Sequence, residues 1–238
     1  ATAHALGSGS HSAAAGAGGR EMRRLVAYVL FRTIVTFPAL VRKWWSSDCE
    51  RWLSTGIFKF VEEQTSGRIV QREIDLLLAK GKGPDCPWGG GEDEIAVRGS
   101  AVTREVTAHY FKDDCTLEVL LRLPLAYPLR NVEVECTRSL GVSADKWNRW
   151  QLQIVTLLSM RDGSVVDAVA LWVRNLQKEF EGMDPCPICM SIIEARNLSL
   201  PERECRTCHN KFHNSCILKW FATSGKNRCV LCQQATIG

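Results

Sequence analysis

The sequence predicts a multi-domain chain of three units in series: a helical segment that ends an α-solenoid, an α+β sandwich, and a small zinc-held module. Three observations carry this. Apolar and aromatic residues recur at helical spacing from Arg20 to about Lys80. After a glycine-rich stretch the pattern switches to period-two alternation and then returns to two helical runs. The last quarter holds eight metal-ligand residues, Cys186-x2-Cys189-x15-Cys205-x2-Cys208-x4-His213-x2-Cys216-x12-Cys229-x2-Cys232. A length of 238 residues suits one to three small domains, and 45% hydrophobic with 24% charged residues is ordinary for globular protein. The expected bounds are 1–19 for a flexible linker or cloning remnant, 20–80 for the helices, 81–182 for the sandwich and 183–238 for the zinc module.

Residues 1–19 are rich in Ala, Gly and Ser and hold almost no bulky apolar side chain, so they read as a linker without function, His4 and His11 included. Leu25, Tyr28, Val29, Arg32 and Phe37 then begin a helix that Pro38 breaks. The apolar stretch Leu25 to Val41 is too short for a membrane span and is interrupted by Arg32 and Pro38, so no membrane partner is expected. Val41 to Val61 carries Trp44, Trp45, Trp52, Leu53, Ile57, Phe58 and Phe60, and Ile69 to Leu78 makes a further helix. This aromatic density is read as packing. One or two helix pairs suggest the end of a longer array, because solenoid repeats need several copies for stability.

Gly81-Lys82-Gly83-Pro84 and Gly89-Gly90-Gly91 mark the boundary. Val106, Ala108 and Tyr110 alternate with polar neighbours, Lys112-Asp113-Asp114 turns, and Leu117, Val119, Leu121 and then Val132, Val134, Cys136 alternate again. Three such runs predict an antiparallel meander. Trp147 to Met160 and Ser164 to Phe180 follow as helices. Ser164 and Asp167 form a capping pair, Val165, Val169, Trp172, Val173, Leu176 and Phe180 make the buried stripe, and Gly182 is the stop.

In the last unit a Cys-x2-Cys turn places two thiolates on one ion, and three such turns plus His-x2-Cys predict two zinc ions, each with four protein ligands. With no open coordination position the zinc is structural. A disulfide framework fits poorly, since Cys-x2-Cys pairs bridged to themselves would not organise so short a segment. A register using His209 with His213 would leave Cys208 spare; the Cys205-x2-Cys208 turn favours Cys208. Seven of the eleven cysteines are zinc ligands, and Cys49, Cys86, Cys115 and Cys136 lack partner spacing, which argues for a reducing compartment. A net charge of +4 suits a polyanionic neighbour without demanding one. The absence of an initiator methionine and of a signal peptide leads us to expect a fragment or processed chain.

The ligand pattern resembles the RING finger family from Asp184 to Gln233. The resemblance implies cross-bracing: Cys186, Cys189, His213 and Cys216 hold the first zinc, and Cys205, Cys208, Cys229 and Cys232 the second. It also implies a shallow groove for a ubiquitin-conjugating enzyme, carried by Ile188 inside the first turn and Trp220 past the sixth ligand, with Val230, Leu231 and Gln233 beside the last two ligands. Two positions depart from the family: Val230 stands where a proline is common, and Gln233 where Arg or Lys is frequent. A histone-reading PHD finger shares the ligand order but has an aromatic where Asn227 stands. The middle unit resembles an RWD domain, a binding relative of ubiquitin-conjugating folds, through Tyr127-Pro128, although Val132 replaces that loop's second proline.

The order of units is similar to the C-terminal part of the listerin family of ribosome-associated ubiquitin ligases, whose helices are HEAT-like. The strings that carry this include Pro38-Ala39-Leu40-Val41-Arg42 with Trp44-Trp45, Thr103-Arg104-Glu105-Val106, Ala170-Leu171-Trp172, Phe180-Glu181-Gly182, Ser199-Leu200-Pro201, Lys211-Phe212-His213 and Lys219-Trp220-Phe221. The resemblance implies a cytoplasmic, monomeric ubiquitin ligase. Its partners would be a ubiquitin-charged conjugating enzyme and the large ribosomal subunit, protein and rRNA, bearing a stalled nascent chain. It would act by positioning, without a covalent ubiquitin intermediate. The rivals are a non-enzymatic zinc adaptor or PHD-like reader, and a covalent ligase using Cys86, the exposed-looking thiol in Cys86-Pro87-Trp88-Gly89.

Overall fold

The computed structural model describes residues 10–81, 86–88, 94–138 and 144–234. Helix α1 spans Ser10–Thr36 and so begins inside the stretch expected to be a linker. Alanine has the highest helix propensity, and extending a helix already nucleated over Arg20 to Thr36 costs far less than starting one. Pro38 occupies the first turn of α2 (Pro38–Ser47), where its missing N–H breaks no bond, and α1 and α2 bend by 111° across it. Among the described residues no single helix is long and apolar enough to cross a membrane; this bent pair has the required length and composition, nothing more.

Helix α3 (Arg51–Phe60) runs through a π turn (Val61–Thr65) into α4 (Ser66–Lys80). Ile34, Val41, Ile57 and Val61 form a small core here, completed by Leu129 from the next unit. Trp45, Phe58 and Phe60 do serve packing, whereas Trp44 and Trp52 are exposed. The Arg130 guanidinium lies 5.4 Å from the Trp45 ring and 5.7 Å from Phe58, a cation–π contact between the helices and the sandwich. Arg42 donates to the carbonyls of Pro128, at 2.7 Å, and Ser159. Arg104 donates to the Pro124 carbonyl at 2.8 Å and to the Ser66 hydroxyl.

The sandwich has four antiparallel strands in sequential order: β1 (Glu94–Ser100), β2 (Glu105–Lys112), β3 (Cys115–Arg122) and β4 (Glu133–Arg138). The alternation predicted only the last three. Strand β1 lies at the sheet edge with half-buried rather than buried residues, so its period is weak. Gly99 within it leaves room for α4, since a Cβ there would lie 3.1 Å from Ile74 Cγ2. The buried face of the sheet, with Val106, Tyr110, Leu117 and Leu121, meets α5 (Ala144–Met160) and α6 (Val165–Phe180). The Ser164–Asp167 capping box forms, and Gly182 follows α6 at φ +70°. Cys115 is buried in β3, and Cys136 is half-buried in β4.

Helix α4 belongs to two cores: Val70, Ile74 and Leu77 pack under the sheet. On the same helix the Glu73 carboxylate accepts the Val165 N–H at 2.8 Å. Burial holds the Glu73 carboxyl above its ordinary range. Its raised value means the fold favours the neutral acid, so this contribution is present at acid pH and is lost as pH rises. Glu73→Gln keeps the acceptor and removes the charge. Urea denaturation should show the variant at least as stable as the parent at pH 7, with the gap closing as pH falls into the carboxylate range. A lower midpoint for the variant at pH 7 would contradict this assignment.

Candidate metal centre

The three Cys-x2-Cys turns fold alike. In each, the first cysteine's carbonyl accepts the N–H four residues on: Met190 N to Cys186 O at 2.8 Å, His209 N to Cys205 O at 2.8 Å, Gln233 N to Cys229 O at 3.0 Å. In each, the residue after the second cysteine is left-handed: Met190 at φ 61°, His209 at 57°, Gln233 at 60°. A two-stranded ribbon, β5 (Arg203–Glu204) with β6 (Lys211–Phe212), leads to α7 (Asn214–Ser224), which carries Cys216 and has His213 as its N-cap.

These elements gather the eight residues into two groups, Cys186, Cys189, His213, Cys216 and Cys205, Cys208, Cys229, Cys232, with ligand atoms in each group within 4.8 Å of one another. The first and third pairs meet, and the second and fourth, so the sites interleave. A tetrahedral zinc with Zn–S of about 2.3 Å requires S···S edges of about 3.8 Å. The Sγ atoms of Cys205 and Cys232 are 3.7 Å apart, and those of Cys208 and Cys229 are 3.8 Å apart. His213 Nδ1 lies 3.3 Å from Cys189 Sγ and 3.8 Å from Cys216 Sγ. Its Nε2 lies 2.9 Å from the Ile192 carbonyl oxygen, which can only accept, so Nε2 carries the proton and the Nδ1 lone pair faces the thiols. Both donor sets therefore fit zinc.

His209 joins neither group. It projects into solvent, 74% exposed, with Nδ1 2.7 Å from a Glu204 carboxylate oxygen. Its left-handed position matches those of Met190 and Gln233, which explains why its side chain leaves the cage. Burial, reinforced by the charges of Cys186 and Cys189, pushes the Cys216 thiol up to about 12. Burial likewise pushes Cys229 up to about 12, whereas hydrogen bonds from Asn210 hold Cys208 down to about 6. Thiols kept protonated in this way must release protons when an ion is loaded, so affinity rises with pH.

In the module's own core only Phe212 and Ile217 are buried besides the ligands, while its Ile193 and Leu200 are buried in the sandwich core instead. Burying two such side chains contributes about 1.5–3 kcal/mol each, against about 1–2 kcal/mol of backbone entropy for every residue ordered. Metal binding must supply the folding energy; structural zinc sites are worth about 10–16 kcal/mol.

Ile188, Trp220 and Val230 pack half-buried on this small core, and Leu231 beside them is 50% exposed. Met190 and Leu218, at 74% and 50% exposure, extend the apolar surface; the sequence reading passed over both because neither is a ligand nor a family marker. Trp220 Nε1 donates to the Arg228 carbonyl at 3.1 Å, tying α7 to the loop before Cys229. The Gln233 amide donates to the Val230 carbonyl of its own loop at 3.0 Å. Cys86 is half-buried against the sandwich core, with its Sγ 3.8 Å from the Gly81 carbonyl. That corrects its exposed-looking reading; Trp88, two residues on, is buried at 6% exposure.

Residues 10–77 match the LTN1 family HEAT repeat region, and residues 95–179 match the ubiquitin conjugating domain-like family. The chain is 36% identical over 90% of its length to E3 ubiquitin-protein ligase listerin of Xenopus tropicalis, and 37% over 88% to that of Mus musculus. The Saccharomyces cerevisiae listerin is 34% identical over 90% of the chain. The chain belongs to the listerin family. It spans 12% of the Xenopus listerin, 11% of the mouse and 13% of the yeast protein. Both zinc-fitting groups lie downstream of the two segments that the family models match.

Proposed function

We propose that the chain is a RING-type ubiquitin ligase module that docks a ubiquitin-charged conjugating enzyme and promotes transfer to lysines of nascent chains stalled on the large ribosomal subunit. The observation that carries this is the pair of closed four-ligand groups with apolar residues around the cage, Ile188 and Trp220 packed on its core and Leu231 exposed. A closed site offers no Lewis acid, and exposed apolar side chains around so small a core mark an interface. Outside the cage, Cys49, Cys86 and Cys136 are half-buried and Cys115 is buried, so none of them is a freely exposed thiol. The module therefore acts by holding the thioester in geometries open to lysine attack. Gln233 is engaged within its own loop, so docking rests on those apolar residues. The helices and the sandwich serve placement on the ribosome, and the protein works as a cytoplasmic monomer. The listerin relatives, named as E3 ubiquitin-protein ligases, support this reading.

Single-turnover discharge of ubiquitin from a panel of conjugating enzymes to free lysine is the deciding assay. Zinc-loaded chain should accelerate discharge from at least one enzyme without ever carrying ubiquitin in a thiol-sensitive bond. It should also co-sediment with large ribosomal subunits, more weakly as salt rises if rRNA is contacted. No acceleration with any enzyme would leave a zinc adaptor or reader; a thiol-sensitive adduct at Cys86 would mean a covalent ligase.

A further inference from the structure

The turn between β2 and β3 meets the zinc module through Asp113. Asp113 stands at its tip with φ 52°, and one carboxylate oxygen, Oδ2, accepts two backbone N–H groups of the module, Ile192 at 2.8 Å and Ile193 at 3.0 Å. The peptide unit that joins Ile192 to Ile193 thus donates its N–H to Asp113. Its carbonyl, on Ile192, accepts from His213 Nε2 at 2.9 Å. One amide separates a carboxylate of the sandwich from a ligand of the first site. Ile193 beneath it is 1% exposed and belongs to the sandwich core, as does Leu200, so the peptide is held in place.

The geometry points to Asp113 as a positioning residue for the first zinc site, acting from a different domain through the Ile192–Ile193 peptide. A metal-bound imidazole is oriented, and made a stronger donor, by the acceptor on its second nitrogen; loss of such a partner weakens metal binding by about ten- to a hundredfold. A carboxylate on the N–H of an amide polarises it and strengthens its oxygen as an acceptor. The consequence is that the sandwich and the first site are coupled. The Asp113 carboxylate tightens the first site, while the second, all-cysteine site takes hydrogen bonds from its own module, Asn210 to Cys208. This inference concerns metal affinity and stands whether or not the ligase reading holds.

The test is a cobalt(II) titration of the full chain, followed by zinc displacement. The visible bands of cobalt distinguish a site with a histidine ligand from one with thiolates alone, so the two sites are read separately. Asp113→Gly suits the left-handed turn and removes the carboxylate; Asp113→Asn also suits the turn and leaves a neutral acceptor. The first site should weaken by up to about tenfold in Asp113→Gly, since the Ile192 carbonyl remains as the direct acceptor, and less in Asp113→Asn, with the second site unchanged. Leu200→Ala, which loosens the same interface without touching the carboxylate, should leave the first site's affinity near that of the parent. Unchanged affinity in Asp113→Gly overturns the proposal. So does equal weakening of both sites, or a loss in Leu200→Ala that matches Asp113→Gly, since either would mean general loosening.

Discussion

Cys208→Ser is expected to take the chain from two bound zinc ions to one and to unfold the loops around the second site, while His209→Ala keeps both. Cys208 Sγ lies 3.8 Å from Cys229 Sγ in the second group, and a serine hydroxyl is a poor substitute for thiolate. His209 points to Glu204 and solvent. The effect should be large because the module has almost no apolar core to fall back on, and a structural zinc is worth about 10–16 kcal/mol. Native mass spectrometry counts the ions, and hydrogen exchange should show loss of protection in 203–234 while the sheet and α6 stay protected. The reverse outcome, zinc lost with His209→Ala and retained with Cys208→Ser, would move the register to the two-histidine form.

Ile188→Ala and Leu231→Ala are expected to retain both ions and lose most ubiquitin discharge. Truncating an anchor at an interface costs about 2 kcal/mol or more, and each 1.4 kcal/mol is about tenfold in affinity, so a transient complex should weaken more than tenfold. These two are cleaner probes than Trp220→Ala. Trp220 donates to the Arg228 carbonyl and supports the second site's loop, so its removal would mix a docking loss with a folding loss. Discharge rates fitted against conjugating-enzyme concentration would separate weaker binding from slower transfer. Normal discharge by both variants would place the docking surface elsewhere.

Much of this was written in local sequence. A ligand spacing is local chemistry, and eight residues at that spacing name two four-ligand sites. The α6 cap and stripe, the Pro38 break and the Asp113 turn are likewise set by neighbours a few residues apart, so periodicity and turn chemistry reveal them. The weak points were elements whose character comes from elsewhere. Strand β1 takes its structure from pairing with β2 and from α4 packing on Gly99, neither visible in its own seven residues. Residues 10–19 lacked apolar content but extend a helix begun downstream.

What the sequence determined by itself, then, was the set of donors, their pairing once the cross-braced family was recognised, and the class of each unit. Tertiary structure decided how the units share cores and which side chains leave them. Helix α4 closes two cores at once, Leu129 crosses from the sandwich into the helices, and Ile193 crosses from the zinc module into the sandwich. A buried contact depends on which surfaces meet, and nothing in a residue's own neighbourhood states that. The same reason separates Cys208 from His209: both are competent ligands by chemistry, and only the left-handed turn after Cys208 sends the imidazole out to Glu204 while the thiol stays in the cage. It also explains Asp113, an ordinary turn residue by sequence, whose position against the Ile192–Ile193 peptide arises only when two domains pack.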